Sequence, residues 1–311
     1  MTQPTLVLLD RATLGEVALG PIAALGRLVC HDRTAPSQTT ARIAEAEVVI
    51  TNKVRIGRAE IDAAPRLRLV CIAATGTNNV DTAYAAERGI AVRNVAGYST
   101  ESVVQTTFAH LLSLAGRLPA FDRIVKSGEY GRSGLFTDAT LPYRELHGRR
   151  MGIIGLGTIG RRVAAVAEAF GMEVVYHPTS GIAHDERYPA LGLDELLATS
   201  DVVSIHAPLN ERTQGLIGAA ELRRMKPTAL LLNAGRGGIV DEQALAEALD
   251  AGCPAGAGLD VYAVEPLPAD SPLLGMRHPE RLSLTPHTAW ASVEARERLV
   301  AAVAENIRKG W

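Results

Sequence analysis

The stretch "RRMGIIGLGTIGRRVAAVAEAF", residues 149–170, constrains the fold more than any other part of the chain. An apolar run leads into Gly155-Leu156-Gly157-Thr158-Ile159-Gly160, and an Ala/Val-rich helical pattern follows at once. A G-x-G-x-x-G motif alone says little. Between a strand and a helix the three glycines have distinct mechanical roles, since the first makes the tight turn, the second lets backbone approach a pyrophosphate, and the third lets helix pack on strand. The N–H groups that open the helix, and the positive end of its dipole, then favour phosphate. The segment therefore reads as a dinucleotide-binding βαβ unit.

The flanking sequence repeats that rhythm. Short β-branched runs, "TLVLLD", "EVVITN" and "LRLVCIAATG", alternate with helical patterns around residues 38–46, 58–64 and 79–88. Parallel strands joined by right-handed helical crossovers imply an open sheet covered on both faces. The pattern changes at Ser99, where "STESVVQTTFAHLLSLAGRLPAF" offers hydroxyl caps and a long helix ending near Gly116. A second βαβ series then runs from the glycine turn through "MEVVYH", "DVVSIHAPL", "TALLLNAGRG" and "AGAGLDVY" to "RLSLTPHTAW". A last helix over about Ser292–Lys309, apolar at Val293, Leu299, Val300, Val303 and Ile307, suits packing back on the first domain.

The fold class that follows is α/β, with two Rossmann-like domains, each an open parallel sheet with helices on both faces. Residues 1–98 with 289–311 form one domain and 99–288 the nucleotide-binding one, so that the chain crosses the hinge twice. A chain of 311 residues exceeds what one core usually serves, which agrees with two domains.

With 47% hydrophobic residues, 21% charged and a formal net charge of −2, no broad electrostatic reason exists to expect nucleic acid or an anionic membrane as partner. A small-molecule substrate fits better. The opening "MTQPTLVLLDRAT" lacks a basic leader, and no apolar run approaches the ~18 residues that span a bilayer, so the expected location is the cytoplasm. Cys30, Cys71 and Cys253 are scattered and never form a CxxC pair, and are expected to be packed thiols, with no disulfide framework or metal site.

Three residues carry the candidate chemistry. Arg236 sits among glycines in "LLLNAGRGGIVDEQAL", just past a strand. Glu265 follows another strand in "AGLDVYAVEPLP", and His287 stands behind Pro286 in "LSLTPHTAW". Taken singly, each has a bland reading as a surface or structural residue. Together they fall after separate strands of one sheet, on the edge that carries the glycine turn, where open α/β sheets bind ligands. Reduction of a 2-oxo acid needs a cation to hold the carboxylate, an acid to protonate the nascent alkoxide and a hydride from dihydronicotinamide. Arginine offers a fork that matches a carboxylate. A carboxylate such as Glu265 beside the His287 imidazole favours its cationic form and fixes its orientation.

The glycine turn, "NAGRGGIVDEQAL", "GLDVYAVEPLP" and "TPHTAWAS" resemble the D-isomer-specific 2-hydroxyacid dehydrogenase family across essentially the whole chain. Within it, "CIAATGTNNVD", "NVAGYSTESVVQ" and "TPHTAWAS" are most similar to the glycerate dehydrogenase/hydroxypyruvate reductase branch. The resemblance implies a flavodoxin-like substrate-binding first domain, Arg236 on the substrate carboxylate, Glu265 tuning His287, and His287 as proton donor during reduction. It implies that Thr75 and Gly76 face the same carboxylate through backbone N–H groups. Implied contacts to NAD or NADP, besides Gly155, Gly157 and Gly160, are Thr158, Ile159, His206, Ala207, Pro208, Thr213, Ala234, Gly235, Asp260 and His287. A homodimer is implied as well. A charged Glu265 departs from the formate dehydrogenase branch, and Thr75 stands where phosphite dehydrogenases carry lysine. A nucleotide-sensing corepressor-like protein shares the fold, but long polar tails and a basic patch are missing from this sequence.

His177 ends the strand after the glycine turn, close to the ~20 residues downstream at which an acidic side chain normally grips the adenosine ribose. An Asp or Glu there repels a 2′-phosphate. His177, Thr179 and Ser180 carry no negative charge and can donate hydrogen bonds, so the sequence predicts tolerance of NADP as well as NAD. His31, His110, His147, His184 and His278 show no partner pattern.

Overall fold

The structure, a computed structural model, describes residues 3–183, 185 and 187–310; His184 lies outside them. The chain divides into two compact units, Met1–Ser99 with Trp290–Trp311, and Thr100–Ala289.

The first unit holds a five-stranded parallel sheet, β1 (Thr5–Leu8), β2 (Arg27–Cys30), β3 (Val48–Thr51), β4 (Leu69–Ile72) and β5 (Ala91–Arg93), in the order β2-β1-β3-β4-β5. Side chains alternate across it. Leu6 and Leu8 of β1 join one apolar layer while Val7 and Leu9 join the opposite one, as the two-residue period of a strand requires. Helices Thr39–Ile43, Arg58–Asp62 and Thr82–Glu87 fall inside the expected helical patterns and are shorter than them. Strands β2 and β5 escape the sequence reading because they are the sheet edges, short and only partly buried, and lack the apolar run of the central strands.

The helix Val293–Arg308 closes this unit, and Ser292 Oγ caps it by accepting from the Ala295 N–H. Leu299, Val300, Val303 and Ile307 pack with Ala295 and Ala304 against Leu6, Leu8, Val48 and Leu69. Each large aliphatic buried this way contributes about 1.5–3 kcal/mol. Val293, expected on that face, is instead 57% exposed, because it is the first residue of the helix and points off its apolar stripe.

The second unit opens with the helix Thr100–Ala115 and contains a six-stranded parallel sheet. Its strands are β6 (Arg150–Ile154), β7 (Glu173–His177), β8 (Val202–Ile205), β9 (Leu230–Asn233), β10 (Gly256–Leu259) and β11 (Leu282–Leu284), in the order β11-β10-β9-β8-β6-β7. Met151 and Ile153 face one layer and Ile154 the other. From β6 the chain steps to β7 on one side and to β8 on the other, so the strand order reverses beside the glycine turn. Such a switch point leaves a crevice at the carboxyl ends of the strands, where ligands bind.

Cys71 is buried and Cys253 half-buried, whereas Cys30 is exposed, because it ends the edge strand β2. Among the described residues no group of His, Cys, Asp and Glu could hold a metal ion, and no helix is long and apolar enough to cross a membrane.

Candidate active site

The glycine turn has the geometry its sequence asks for. Gly155 adopts φ +91°, in the left-handed region, and its N–H donates to the His177 carbonyl at 3.1 Å. A Cβ on Gly160 would lie 2.3 Å from the Gly155 carbonyl oxygen, so only glycine lets the helix Thr158–Ala169 start there. Gly157 differs, since a Cβ on it would meet nothing within 4 Å. The space above Gly157 is open, and the first N–H groups of the helix have no acceptor within it. On the facing loop after β8, His206 Nδ1 is buried without a hydrogen-bond partner among the described residues, while Nε2 lies 2.8 Å from Ser204 Oγ. Desolvation lowers this imidazole to about 4, so it is neutral at ordinary pH. An open glycine cradle, orphan N–H donors and an unpaired ring nitrogen fit the phosphates and sugar of a dinucleotide.

Arg236, Glu265 and His287 follow β9, β10 and β11, three adjacent strands, and all three project from the carboxyl edge. The structure brings Glu265 and His287 together: His287 Nδ1–H donates to Glu265 Oε2 at 2.6 Å. The other carboxylate oxygen, Oε1, accepts from the Tyr262 N–H at 3.0 Å, so the pair is fixed at both ends. His287 is one of only two non-glycine residues with positive φ among the described residues, at +52°. Its loop is anchored from below by Asp260, which accepts from the N–H groups of Thr288 and Ala289 at 2.8 and 2.9 Å and from Thr285 Oγ1 at 2.6 Å. At 1% exposure the Asp260 carboxylate serves the loop that carries His287, a role that sequence spacing did not indicate.

The Arg236 loop is held in the same manner. Asn233, the last residue of β9, donates from Nδ2 to the Arg236 carbonyl at 3.0 Å and accepts from the Gly235 N–H at 3.1 Å. Gly237 is required there, because a Cβ would lie 1.8 Å from the Tyr262 carbonyl oxygen. The Arg236 guanidinium donates to the Gly235 carbonyl at 2.7 Å and forms no ion pair among the described residues. It is not bonded to the Glu265–His287 pair. Among the described residues its charge is therefore uncompensated, which suits an anionic ligand.

Other expected residues divide between geometry and reach. Thr213 is fully buried and organises the loop after β8, with Oγ1 donating to the Pro208 carbonyl at 2.6 Å and accepting from the Asn210 N–H at 2.9 Å. Ala207 lies directly over Gly155. Thr75 and Gly76 belong to the first unit, in the loop after β4, where Thr75 Oγ1 donates to the Val95 carbonyl at 3.1 Å. The N–H groups of Thr75 and Gly76 have no acceptor among the described residues. His110 is a buried structural histidine. Thr285 Oγ1 donates to Asp260, so it accepts from His110 Nε2–H at 3.0 Å, and Nδ1 accepts from Ser283 Oγ at 2.7 Å.

One expectation about donors changes. His177 Nδ1–H donates to the Leu191 carbonyl at 3.1 Å, so a neutral ring presents Nε2 as an acceptor. Ser180 Oγ–H donates to the Ile182 carbonyl at 3.2 Å. Of the three side chains that the sequence offers as donors at the tip of β7, two have a donor engaged by backbone carbonyls, those of Leu191 and Ile182.

Residues 108–289 match the family model described as D-isomer specific 2-hydroxyacid dehydrogenase, NAD binding domain. Among relatives, a hydroxypyruvate reductase of Blautia hydrogenotrophica is 35% identical, covering 98% of this chain and 96% of that protein. A glyoxylate reductase of Korarchaeum cryptofilum is 43% identical over 79% of this chain and 74% of its own length. Among solved structures, the NADPH-dependent glyoxylate/hydroxypyruvate reductase of Sinorhizobium meliloti, in complex with NADP and malonate, superposes with a TM-score of 0.83 at 29% identity, covering 99% of this chain and 93% of that one.

Proposed function

The chain belongs to the D-isomer-specific 2-hydroxyacid dehydrogenase family, and from that premise we propose that it reduces a small 2-oxo acid of the hydroxypyruvate/glyoxylate class to the D-2-hydroxy acid with NADH or NADPH. The observation that carries this reading is the 2.6 Å His287–Glu265 pair together with Arg236, which has no counter-ion among the described residues, on adjacent strand ends.

The roles follow from which atoms remain available. Arg236 receives the substrate carboxylate on its remaining guanidinium N–H groups; in the first unit, Thr75 and Gly76 keep backbone N–H groups with no acceptor among the described residues. His287 Nδ1 is held by Glu265, so Nε2 is the atom that faces the reaction. When bound, the reduced nicotinamide supplies a hydride to the carbonyl carbon. His287 gives the Nε2 proton to the carbonyl oxygen, and the ring left neutral is reprotonated from solvent. Glu265 holds the ring through Nδ1 and keeps its plane fixed. The glycines 155, 157 and 160, with Thr158, Ile159 and the loops of His206–Pro208 and Ala234–Arg236, hold the dinucleotide; Thr213 acts by holding the loop after β8, and Asp260 by holding the loop of His287. The tip of β7 lacks an acidic residue at His177, which admits NADP beside NAD. The homodimer assigned by resemblance would bury apolar surface that the second unit leaves exposed.

A steady-state panel of glyoxylate, hydroxypyruvate and larger 2-oxo acids against both reduced cofactors tests the reading. Turnover is expected to be highest with the two small acids; purified protein that oxidises neither cofactor with any of them would sink the proposal.

A further inference from the structure

A cation reaches the tip of β7 from outside its own segment. Beyond His177 the chain continues Pro178-Thr179-Ser180-Gly181, with Gly181 at φ +81°. The loop after β8 is stiffened by Thr213 and by the Arg212 N–H, which donates to Asn210 Oδ1 at 2.9 Å. From that loop the Arg212 guanidinium donates through Nη1 to the Ser180 carbonyl, and Nη1 stands 3.9 Å from where a Cβ on Gly181 would sit. Arg212 is exposed and forms no ion pair among the described residues. The one described carboxylate of this stretch, Asp185, is 8% exposed at its side chain, pairs with Arg161 and accepts from the Arg187 N–H at 2.7 Å. Among the described residues at the tip of β7, Arg212 therefore stands without an ion-pair partner, while the Asp185 carboxylate is turned inward.

In a doubly wound nucleotide-binding unit this tip faces the adenosine ribose, where an arginine accommodates a 2′-phosphate. His177 Nδ1–H and Ser180 Oγ–H already have acceptors, so neither of these donors provides that recognition. We propose that Arg212, with the Thr179–Gly181 turn, forms a 2′-phosphate subsite that makes this protein favour NADP(H) over NAD(H). One guanidinium N–H clasps the turn and the remaining donors of the five face outward for the phosphate. NAD carries a hydroxyl at the same place and gains no charge-assisted bond. The inference rests on the proposed NAD(P)-dependent reductase reading and adds the residue and the direction of the preference.

Titration calorimetry with NADPH, NADH and 2′,5′-ADP tests it without turnover. The expected result is that the wild-type protein binds NADPH more tightly than NADH and also binds 2′,5′-ADP. Arg212→Ala should lower the ratio Kd(NADH)/Kd(NADPH) by about 10-fold or more, the size of a charge-assisted hydrogen bond. Arg212→Lys should keep most of that ratio. Arg212→Gln retains a donor for the Ser180 carbonyl but no charge, so it should behave like the alanine variant. A ratio preserved in Arg212→Gln, or both cofactors weakened equally in Arg212→Ala, would mean that the arginine only clasps the turn, and would overturn the subsite while leaving the reductase reading intact. A wild-type protein that binds NADH far more tightly than NADPH would overturn both the subsite and NADP tolerance, and one that binds neither would overturn the reductase reading itself.

Discussion

His287 holds an uncommon backbone conformation, φ +52°, which for a non-glycine residue costs on the order of 1–3 kcal/mol and persists only where its surroundings fix it. Asp260 beneath the following residues and Glu265 on the ring supply that constraint. The strain buys a ring whose one free nitrogen points away from the carboxylate that holds it. Replacing His287 by Ala is expected to lower kcat by about 10²–10⁴-fold, the usual contribution of a positioned acid, while NADPH affinity measured by fluorescence titration changes little. Loss of cofactor binding together with activity would instead make His287 a structural support. His206 yields a second expectation. Its folded-state value of about 4 lies below the ordinary 6.5, so between these pH values the unfolded chain binds the extra proton. Its contribution to stability is present above about pH 6.5 and is lost as pH falls towards 4, by an amount no larger than about 3 kcal/mol. Thermal melts of wild type and His206→Asn across that window should show a shallower acid decline in the variant; parallel curves would rule out this contribution.

At the scale of the element, the glycine turn separates two kinds of glycine that the motif writes with one letter. A Cβ on Gly160 meets the Gly155 carbonyl oxygen at 2.3 Å, so Gly160→Ala breaks the packing of helix on strand. A Cβ on Gly157 meets open space within 4 Å, so Gly157→Ala should fold normally and fail only where the pyrophosphate approaches. The expected outcome is a melting temperature near wild type for Gly157→Ala with dinucleotide Kd raised about 10-fold or more, a loss on the order of one or two hydrogen bonds. Gly160→Ala should lose stability as well as binding. Equal melting losses in both variants would contradict this division. The turn was legible in the sequence because its spacing, its strand and its helix are contiguous. Strands β2 and β5 were not, since edge strands lack the apolar run that marks a buried one. Asn233 and Arg212 were legible only as residue types, and Asp260 only as a cofactor contact implied by resemblance. Their partners lie on other loops, and Arg212 meets Ser180 across 32 positions of chain, a contact created by the sheet order.

At the scale of the whole molecule, the chain enters its second unit at Thr100 and leaves it after Ala289, and one stretch of that unit covers no core of its own. The helices Leu118–Lys126 and Glu129–Ser133 contain no buried residue, although the first is strongly two-faced. Leu118, Val125, Leu135 and Tyr143 are exposed, and Phe136 is 96% exposed. This many exposed large apolar side chains in one short segment suit the interface of the homodimer proposed above. A second copy of the chain is the occupant that a homodimer provides, and two-fold pairing would place the same patch on both sides of the contact. Light scattering coupled to size exclusion should then give twice the 33.0 kDa of one chain. Phe136→Asp would place a charge in the desolvated centre of that contact, where an unpaired carboxylate costs several kcal/mol, and should shift the species towards 33.0 kDa at micromolar concentration. Because Phe136 supports no core within its own unit, the variant should keep the wild-type circular dichroism spectrum. A dimer that persists unchanged in Phe136→Asp would move the interface elsewhere, and a wild-type protein that runs as a monomer would remove it.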